Sequence, residues 1–105
     1  METDSVVIAQ LVRRIVEAVH PLRVVLFGSA ARGERGPDGD IDFLIVMPEG
    51  VHRRKTAQLL YRSVESGGVP FDVIVATPSD LETYKDNPGL IYREILREGR
   101  ELYAA

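Results

Sequence analysis

Two short apolar runs, joined by a segment rich in turn formers, constrain the fold of this chain most strongly. The runs are Val24–Phe27 and Ile41–Val46, and Gly28-Ser29 follows the first of them directly. Apolar runs of this length, bounded by glycine and proline, predict buried β-strands. The sequence therefore predicts a small sheet with a glycine turn at the end of one central strand.

Two acidic residues mark the beginning of the second run. Ten residues separate Ser29 from Asp40, and Asp42 follows two positions later. Side chains in a strand alternate between faces, so both carboxylates should point the same way. Two adjacent carboxylates repel each other unless a cation lies between them. Because Mg²⁺ prefers one or two carboxylates together with substrate phosphates, the pattern predicts a site for a metal and a nucleotide.

A third acid, Asp72, interrupts another apolar run, Phe71–Ala76. If this run pairs beside the strand of Asp42, the carboxylates of Asp72 and Asp42 should lie level with each other. Acids on adjacent strands can hold two metal ions that clamp the attacking and leaving oxygens of a phosphoryl transfer. Asp72 would then bind the metal that activates the incoming hydroxyl, or accept the proton of that hydroxyl. The alternative is an acid that merely faces solvent from an edge strand.

The turn after the first strand has the chemistry of a phosphate site. Gly28 lacks a Cβ and lets the backbone approach a phosphate closely, and Ser29 can donate its hydroxyl and its backbone N–H to a phosphate oxygen. Arg32 can pair with a triphosphate, or instead tether the loop through Glu34 or Asp38. We therefore treat Gly28, Ser29 and Arg32 as candidate nucleotide-binding residues.

The remaining segments alternate between helical and extended patterns. An amphipathic helix should end before Pro21, and a capping box of Ser79 and Glu82 should open a short helix. The other predicted elements are a helix over Val51–Ser66, a last helix that Pro88-Gly89 opens and Gly99 ends, and a short edge strand at Leu102-Tyr103. This order predicts an α/β protein, more closely an α+β two-layer fold, in which a small mixed sheet carries helices on one face and the acids on the other. We expect a single domain over residues 1–105.

Composition excludes several classes of function. The formal net charge is −3, so the chain lacks the positive excess typical of proteins that grip nucleic acid. It has no cysteine, which excludes disulfides and thiolate chemistry. We also expect a cytoplasmic protein without a membrane partner, because the chain shows neither a signal peptide pattern nor a sufficiently long apolar run.

The spacing Gly28-Ser29-x10-Asp40-x-Asp42, with Asp72 on a later strand, resembles the signature of the DNA polymerase beta-type nucleotidyltransferase superfamily. The similarity extends over roughly residues 11–103, and the short chain is most similar to the minimal nucleotidyltransferase (MNT) domains. Members of that branch are typically antitoxins paired with a HEPN-domain toxin. The resemblance implies a palm-like fold and a protein adenylyltransferase that uses Mg²⁺, as two ions, to transfer AMP from ATP to a toxin tyrosine. It also implies an assembly, either with the toxin or as a homodimer, because so small a chain cannot supply the acceptor itself.

Two other functions are compatible with the same residues. The chain could neutralise a toxin by binding alone, with the nucleotide site retained only as structure. It could instead modify a small hydroxyl compound, as the aminoglycoside nucleotidyltransferases do, although the lack of room for a second domain argues against this. Three aligned carboxylates favour the catalytic interpretation, because a protein that only binds would not need them.

Overall fold

The protein forms a mixed four-stranded sheet in the order β3-β2-β1-β4. The computed structural model describes residues 4–36, 39–87 and 91–105. The strands are β1 (Arg23–Phe27), β2 (Ile41–Val46), β3 (Phe71–Ala76) and β4 (Arg100–Ala104). β2 and β3 are parallel, whereas β1 is antiparallel to both of its neighbours. The predicted edge strand at Leu102-Tyr103 is thus confirmed as part of the longer β4.

Four helices complete the described part of the fold: α1 (Asp4–Val19), α2 (Arg53–Ser63), α3 (Pro78–Tyr84) and α4 (Ile91–Glu98). A short 3₁₀ turn, Gly28–Ala30, follows β1. Within the described ranges, no helix is long and apolar enough to cross a membrane. The elements therefore confirm the predicted α+β fold with a mixed sheet.

The larger core lies between one face of the sheet and helices α1 and α2. Its members alternate along each strand, as the period of two requires. The side chains that are 0% exposed in this core are Ile15, Val24, Ile41, Phe43, Ile45 and Leu60. This layer fixes α2 firmly against the sheet, which matters for the site described below.

The second face of the sheet is also covered, in part, and here the structure differs from the expectation of helices on one face. Val25, Leu44, Val46 and Ala76 point to this face and pack with residues of α3 and α4. β2 is apolar on both faces after Asp42, as is typical of strands buried between two layers. Leu44 and Val46 are apolar and are buried on this face, as Phe43 and Ile45 are on the other. α3 and α4 therefore pack on the acid-bearing face, over the part of β2 that follows Asp42.

The ends of α2 also differ from the predicted ones. α2 begins at Arg53 rather than Val51, because the His52 side chain accepts a hydrogen bond from the backbone N–H of Lys55, and it ends at Ser63 rather than Ser66. The predicted beginning of the last helix at Pro88-Gly89 lies outside the described residues.

The predicted capping box of Ser79 and Glu82 is wrong, and the box lies two residues earlier. The Thr77 hydroxyl accepts from the backbone N–H of Asp80 at 3.3 Å, and the Asp80 carboxylate accepts from the backbone N–H of Thr77 at 3.0 Å. Pro78 occupies the first helical position, where a missing N–H costs nothing. The proline therefore selects Thr77 as the cap, and α3 begins where β3 has just ended.

We expect Thr77→Ala to lower the free energy of unfolding by about 1 kcal/mol, because the first turn of α3 loses its cap. In a domain of this size the loss corresponds to a fall in Tm of about 4–8 °C. Glu82→Gln is the matched control, since Glu82 forms a surface ion pair with the exposed Lys85 at 3.0 Å. Thermal unfolding followed by circular dichroism would contradict this assignment of the cap if Glu82→Gln were the more damaging change.

Candidate active site

The end of β1 brings a glycine turn into direct contact with the first acid. Phe27 pairs with Asp42 across the antiparallel ladder, and Gly28 follows with φ of +74°. A Cβ on Gly28 would lie 2.6 Å from Oδ2 of Asp42. Gly28 is thus required both by the left-handed backbone and by the space that the carboxylate occupies.

The structure brings together all three of the acids singled out in the sequence. Asp42 and Asp72 are partners in the parallel register of β2 and β3, so their side chains lie on the same face of neighbouring strands. Asp40 stands one residue before β2 rather than within it, and its carboxyl group is in hydrogen-bonding contact with that of Asp72. The expectation that Asp72 lies level with Asp42 is therefore met by the backbone pairing itself.

The acids perturb one another electrostatically. The hydrogen bond with Asp72, then desolvation and the charge of Asp72, raise the pKa of Asp40, while Arg35 opposes the shift. Burial raises the pKa of Asp42, and the charges of Asp72 and Asp40 raise it further. Negative charge on Asp40 and Asp42 is thus disfavoured unless a cation balances it.

The donor set suits a hard divalent cation that arrives with its substrate. Carboxylate oxygens are the ligands that Mg²⁺ prefers, usually one or two of them together with phosphate oxygens. Across residues 4–36, 39–87 and 91–105, no group of three or more acidic or histidine side chains is arranged so that it could hold a metal ion by itself. A site that takes part of its ligands from a nucleotide does not need such a cluster, so the residues fit a metal–nucleotide complex better than a permanently bound structural ion.

Arg32 adopts the surface arrangement that the sequence offered as the alternative to triphosphate binding. Its Nε lies 2.9 Å from Oε1 of Glu34, and both side chains are exposed. This ion pair raises the pKa of the Arg32 guanidinium, chiefly through the hydrogen bond to Glu34. Asp38, the other partner considered, lies outside the described residues. An exposed pair of this kind is weak, so Glu34 can give way to a more highly charged anion.

A cavity of about 230 Å³ opens beside Gly28, between the end of β1 and helix α4. Phe27 and Ile95 give it apolar walls, and Arg32 lies at its border. Ile91, Glu94 and Glu98 complete the lining. The cavity is on the acid-bearing face of the sheet, because the Phe27 side chain packs on that face with Val25 and Leu44.

Two further residues contact the acids or the backbone beside them, and sequence reasoning predicted a contact with the acids for neither of them. The Tyr61 hydroxyl lies 3.2 Å from Oδ1 of Asp72. Arg35 donates from Nε to the carbonyl of Gly39 at 2.8 Å, directly before Asp40. No spacing pattern in the sequence links either residue to the acids, since both contacts depend on how α2 and the loop fold back.

We expect Gly28→Ala to be much more destabilising than Gly33→Ala. Both glycines have a positive φ, +74° and +71°, so each substitution costs about 1–2 kcal/mol of backbone strain. Nothing lies within 4 Å of a Cβ on Gly33, whereas a Cβ on Gly28 displaces the Asp42 carboxylate. We expect this displacement to cost a further 1–3 kcal/mol or so, as overpacking generally does. Urea denaturation of the two variants measures the difference, and equal losses would show that the carboxylate moves freely.

We expect Asp42→Asn to raise the Tm of the metal-free protein at neutral pH, because the amide removes a half-buried charge from two like charges. Screening by water should limit the rise to about 2–5 °C. The folded protein binds the extra proton, so the advantage grows as the pH rises from about 4, the ordinary pKa of an aspartate, through the raised pKa of folded Asp42. Thermal scans between pH 3 and pH 8, with the exposed Asp86→Asn as control, measure this dependence. A variant less stable than the wild type at neutral pH would contradict the repulsion.

Comparison with known proteins agrees with this geometry. The profile of the nucleotidyltransferase domain family matches residues 8–102. No curated protein matches the chain.

Three solved structures share the fold. The structure of a toxin–antitoxin with AMP-PNP has a TM-score of 0.62 and 18% identity, over 98% of this chain and 75% of that one. A putative nucleotidyltransferase from Sulfolobus solfataricus has a TM-score of 0.57 and 20% identity, over 99% and 92% of the two chains. A mutant of the toxin–antitoxin MntA-HpeT has a TM-score of 0.54 and 17% identity, over 100% and 75%. With the family profile spanning nearly the whole chain and the acids gathered beside Gly28, this protein belongs to the nucleotidyltransferase domain family.

Proposed function

We propose that this protein is an antitoxin that transfers AMP from ATP to a tyrosine hydroxyl group of a cognate HEPN toxin. The observation that carries the proposal is the convergence of Asp40, Asp42 and Asp72 beside the Gly28 turn. A protein that acted only by binding would gain nothing from three carboxylates that repel one another. Membership in the nucleotidyltransferase family makes nucleotidyl transfer the natural use of such a site.

The site offers separate places for the parts of ATP. Asp40, Asp42 and Asp72 would hold two divalent cations, which neutralise charge on the triphosphate and orient it. The Gly28-Ser29 turn would take a phosphate, since the backbone N–H groups at the beginning of a helical turn have no partner within it. The cavity lined by Phe27 and Ile95 gives the nucleoside a partly apolar space next to that turn.

The transfer itself is a displacement at the α-phosphorus. The acceptor oxygen forms a bond to this phosphorus, the bond to the bridging oxygen of the β-phosphate breaks, and pyrophosphate leaves with the electron pair. The acceptor proton passes to the Asp72 carboxylate, which lies exposed at the edge strand β3. Because the reaction needs positioning and charge neutralisation more than covalent chemistry, the protein's part is to hold its acids in register.

The acceptor in this proposal comes from another protein. All of the candidate acids lie on or directly beside one sheet, and Asp72 is exposed on its edge strand, where a second protein could reach it. Two of the fold neighbours are toxin–antitoxin structures, one with AMP-PNP. These neighbours support a toxin as the partner and a nucleoside triphosphate as the donor.

The test is a transfer assay with the purified protein, Mg²⁺, a candidate HEPN toxin and ATP labelled at the α-phosphate. We expect label on a toxin tyrosine, and no label when the ATP is labelled at the γ-phosphate, because pyrophosphate leaves. Asp42→Asn should lower the rate at least about 100-fold, a loss of nearly 3 kcal/mol of transition-state stabilisation. Asp86→Asn, which changes an exposed acid at the end of α3, should leave the rate unchanged.

Other outcomes separate the alternatives. Inhibition of the toxin without label would show neutralisation by binding alone. Label on an added small hydroxyl compound, but not on the toxin, would show a small-molecule nucleotidyltransferase. Full activity of Asp42→Asn would exclude the assignment of the acids altogether.

A further inference from the structure

The hydroxyl group of Tyr61 makes two hydrogen bonds next to the proposed site. It accepts from the backbone N–H of Val73 at 2.9 Å and lies 3.2 Å from Oδ1 of Asp72, to which it donates. The two contacts use the single proton and one lone pair of the phenol. The direction of this hydroxyl is therefore determined by the protein rather than by solvent.

The phenol ring is held as firmly as its hydroxyl. It stacks on Phe71 with the ring centroids 5.6 Å apart and the planes 30° apart. Its helix, α2, is anchored to the opposite face of the sheet by Leu60, which is 0% exposed. Tyr61 thus reaches around the edge of β3 from a rigid helix, with 47% of its own surface still exposed.

Asp72 needs such support more than the half-buried Asp42 does. It is exposed and stands on an edge strand, so no neighbouring strand on that side restricts its side chain. Its contact with Asp40 is one between acids and cannot orient it once both are ionised. A neutral donor fixed by the backbone is what would hold the Asp72 carboxylate level with Asp42.

We infer that Tyr61 is a positioning residue, which orients Asp72 for binding the divalent cation of the nucleotidyl transfer. The inference rests on the proposed function for its kinetic consequence, but metal binding tests it separately. Partners that hydrogen-bond to metal ligands commonly contribute about 10–100-fold to metal affinity or activity. The experiment must exclude the alternative of a purely structural role, in which the Tyr61 hydroxyl serves only to accept the hydrogen bond from the backbone N–H of Val73.

The test is Tyr61→Phe, which keeps the ring and its stacking on Phe71 but removes the hydroxyl. Tyr84→Phe is the matched control, because Tyr84 stacks on Tyr92 at 6.2 Å and lies on α3, away from the acids. The first readout is the affinity for Mn²⁺ in the presence of a non-transferable ATP analogue, measured by electron paramagnetic resonance. We expect Tyr61→Phe to weaken it about 10-fold or more, and Tyr84→Phe to change it less than about twofold.

The second readout divides kcat from KM in the transfer assay. Tyr61→Phe should lower kcat about 10-fold or more while KM for ATP changes little, because the triphosphate is held by the Gly28 turn as before. In an Asp72→Asn background, adding Tyr61→Phe should have almost no further effect on Mn²⁺ affinity, since the group that it orients is already altered.

A structural role would give a different result. If Tyr61→Phe lowered only the Tm and left both Mn²⁺ affinity and kcat within about twofold of the wild type, the inference would be overturned. An equal loss of Mn²⁺ affinity in the Asp72→Asn background would overturn it as well. If the wild-type protein labelled no acceptor at all, the proposed function would fail, whereas the Mn²⁺ measurements would still decide the role of Tyr61.

Discussion

The parallel pairing of β2 with β3 is the constraint on which the rest of the site depends. It sets Asp42 opposite Asp72 on one face, and a shift of one residue would send either carboxylate into the apolar layer beneath α1 and α2. Such a shift is prevented by the hydrophobic pattern itself, because Phe43 and Ile45 must stay in that layer. The burial of apolar side chains in the core thus also holds the carboxylates of Asp42 and Asp72 next to each other.

The position of the Asp42 carboxylate also explains the glycine at the turn after β1. The Asp42 carboxylate projects into space that exists only because residue 28 has no side chain, and Arg35 braces the loop at Gly39, just before Asp40. The hydrogen bond with Asp72, followed by burial, raises the pKa of Asp40, and burial followed by the charges of Asp72 and Asp40 raises the pKa of Asp42. In the proposed function, a cation and a phosphate bound here would relieve the repulsion and so couple the stability of the domain to its ligand.

The sequence predicted the parts of this arrangement that depend on local pattern. The apolar runs gave β1, β2 and β3 within one residue, and the spacing of Gly28, Asp40 and Asp42 placed the acids beside the turn. What it could not supply were contacts between segments distant along the chain. The approach of the Tyr61 hydroxyl to Asp72 depends on how α2 docks. The packing of helices on the acid-bearing face, in contrast, could have been predicted from the sequence. Leu44 and Val46 are apolar at alternate positions of β2 and so indicate that this face is buried too. The predicted cap of α3 was wrong because Ser79 and Glu82 have the residue types and the spacing of a capping box. The helix begins two residues earlier, with Thr77 as its cap, because Pro78 lacks an N–H and suits the first helical position.

The position of the Tyr61 hydroxyl on Val73 has a consequence beyond the site. A bare edge strand invites pairing with another chain, and proteins commonly obstruct such edges to remain dispersed. Here the hydroxyl oxygen of Tyr61 both occupies the backbone N–H of Val73 at the edge of β3 and hydrogen-bonds to the carboxylate of Asp72.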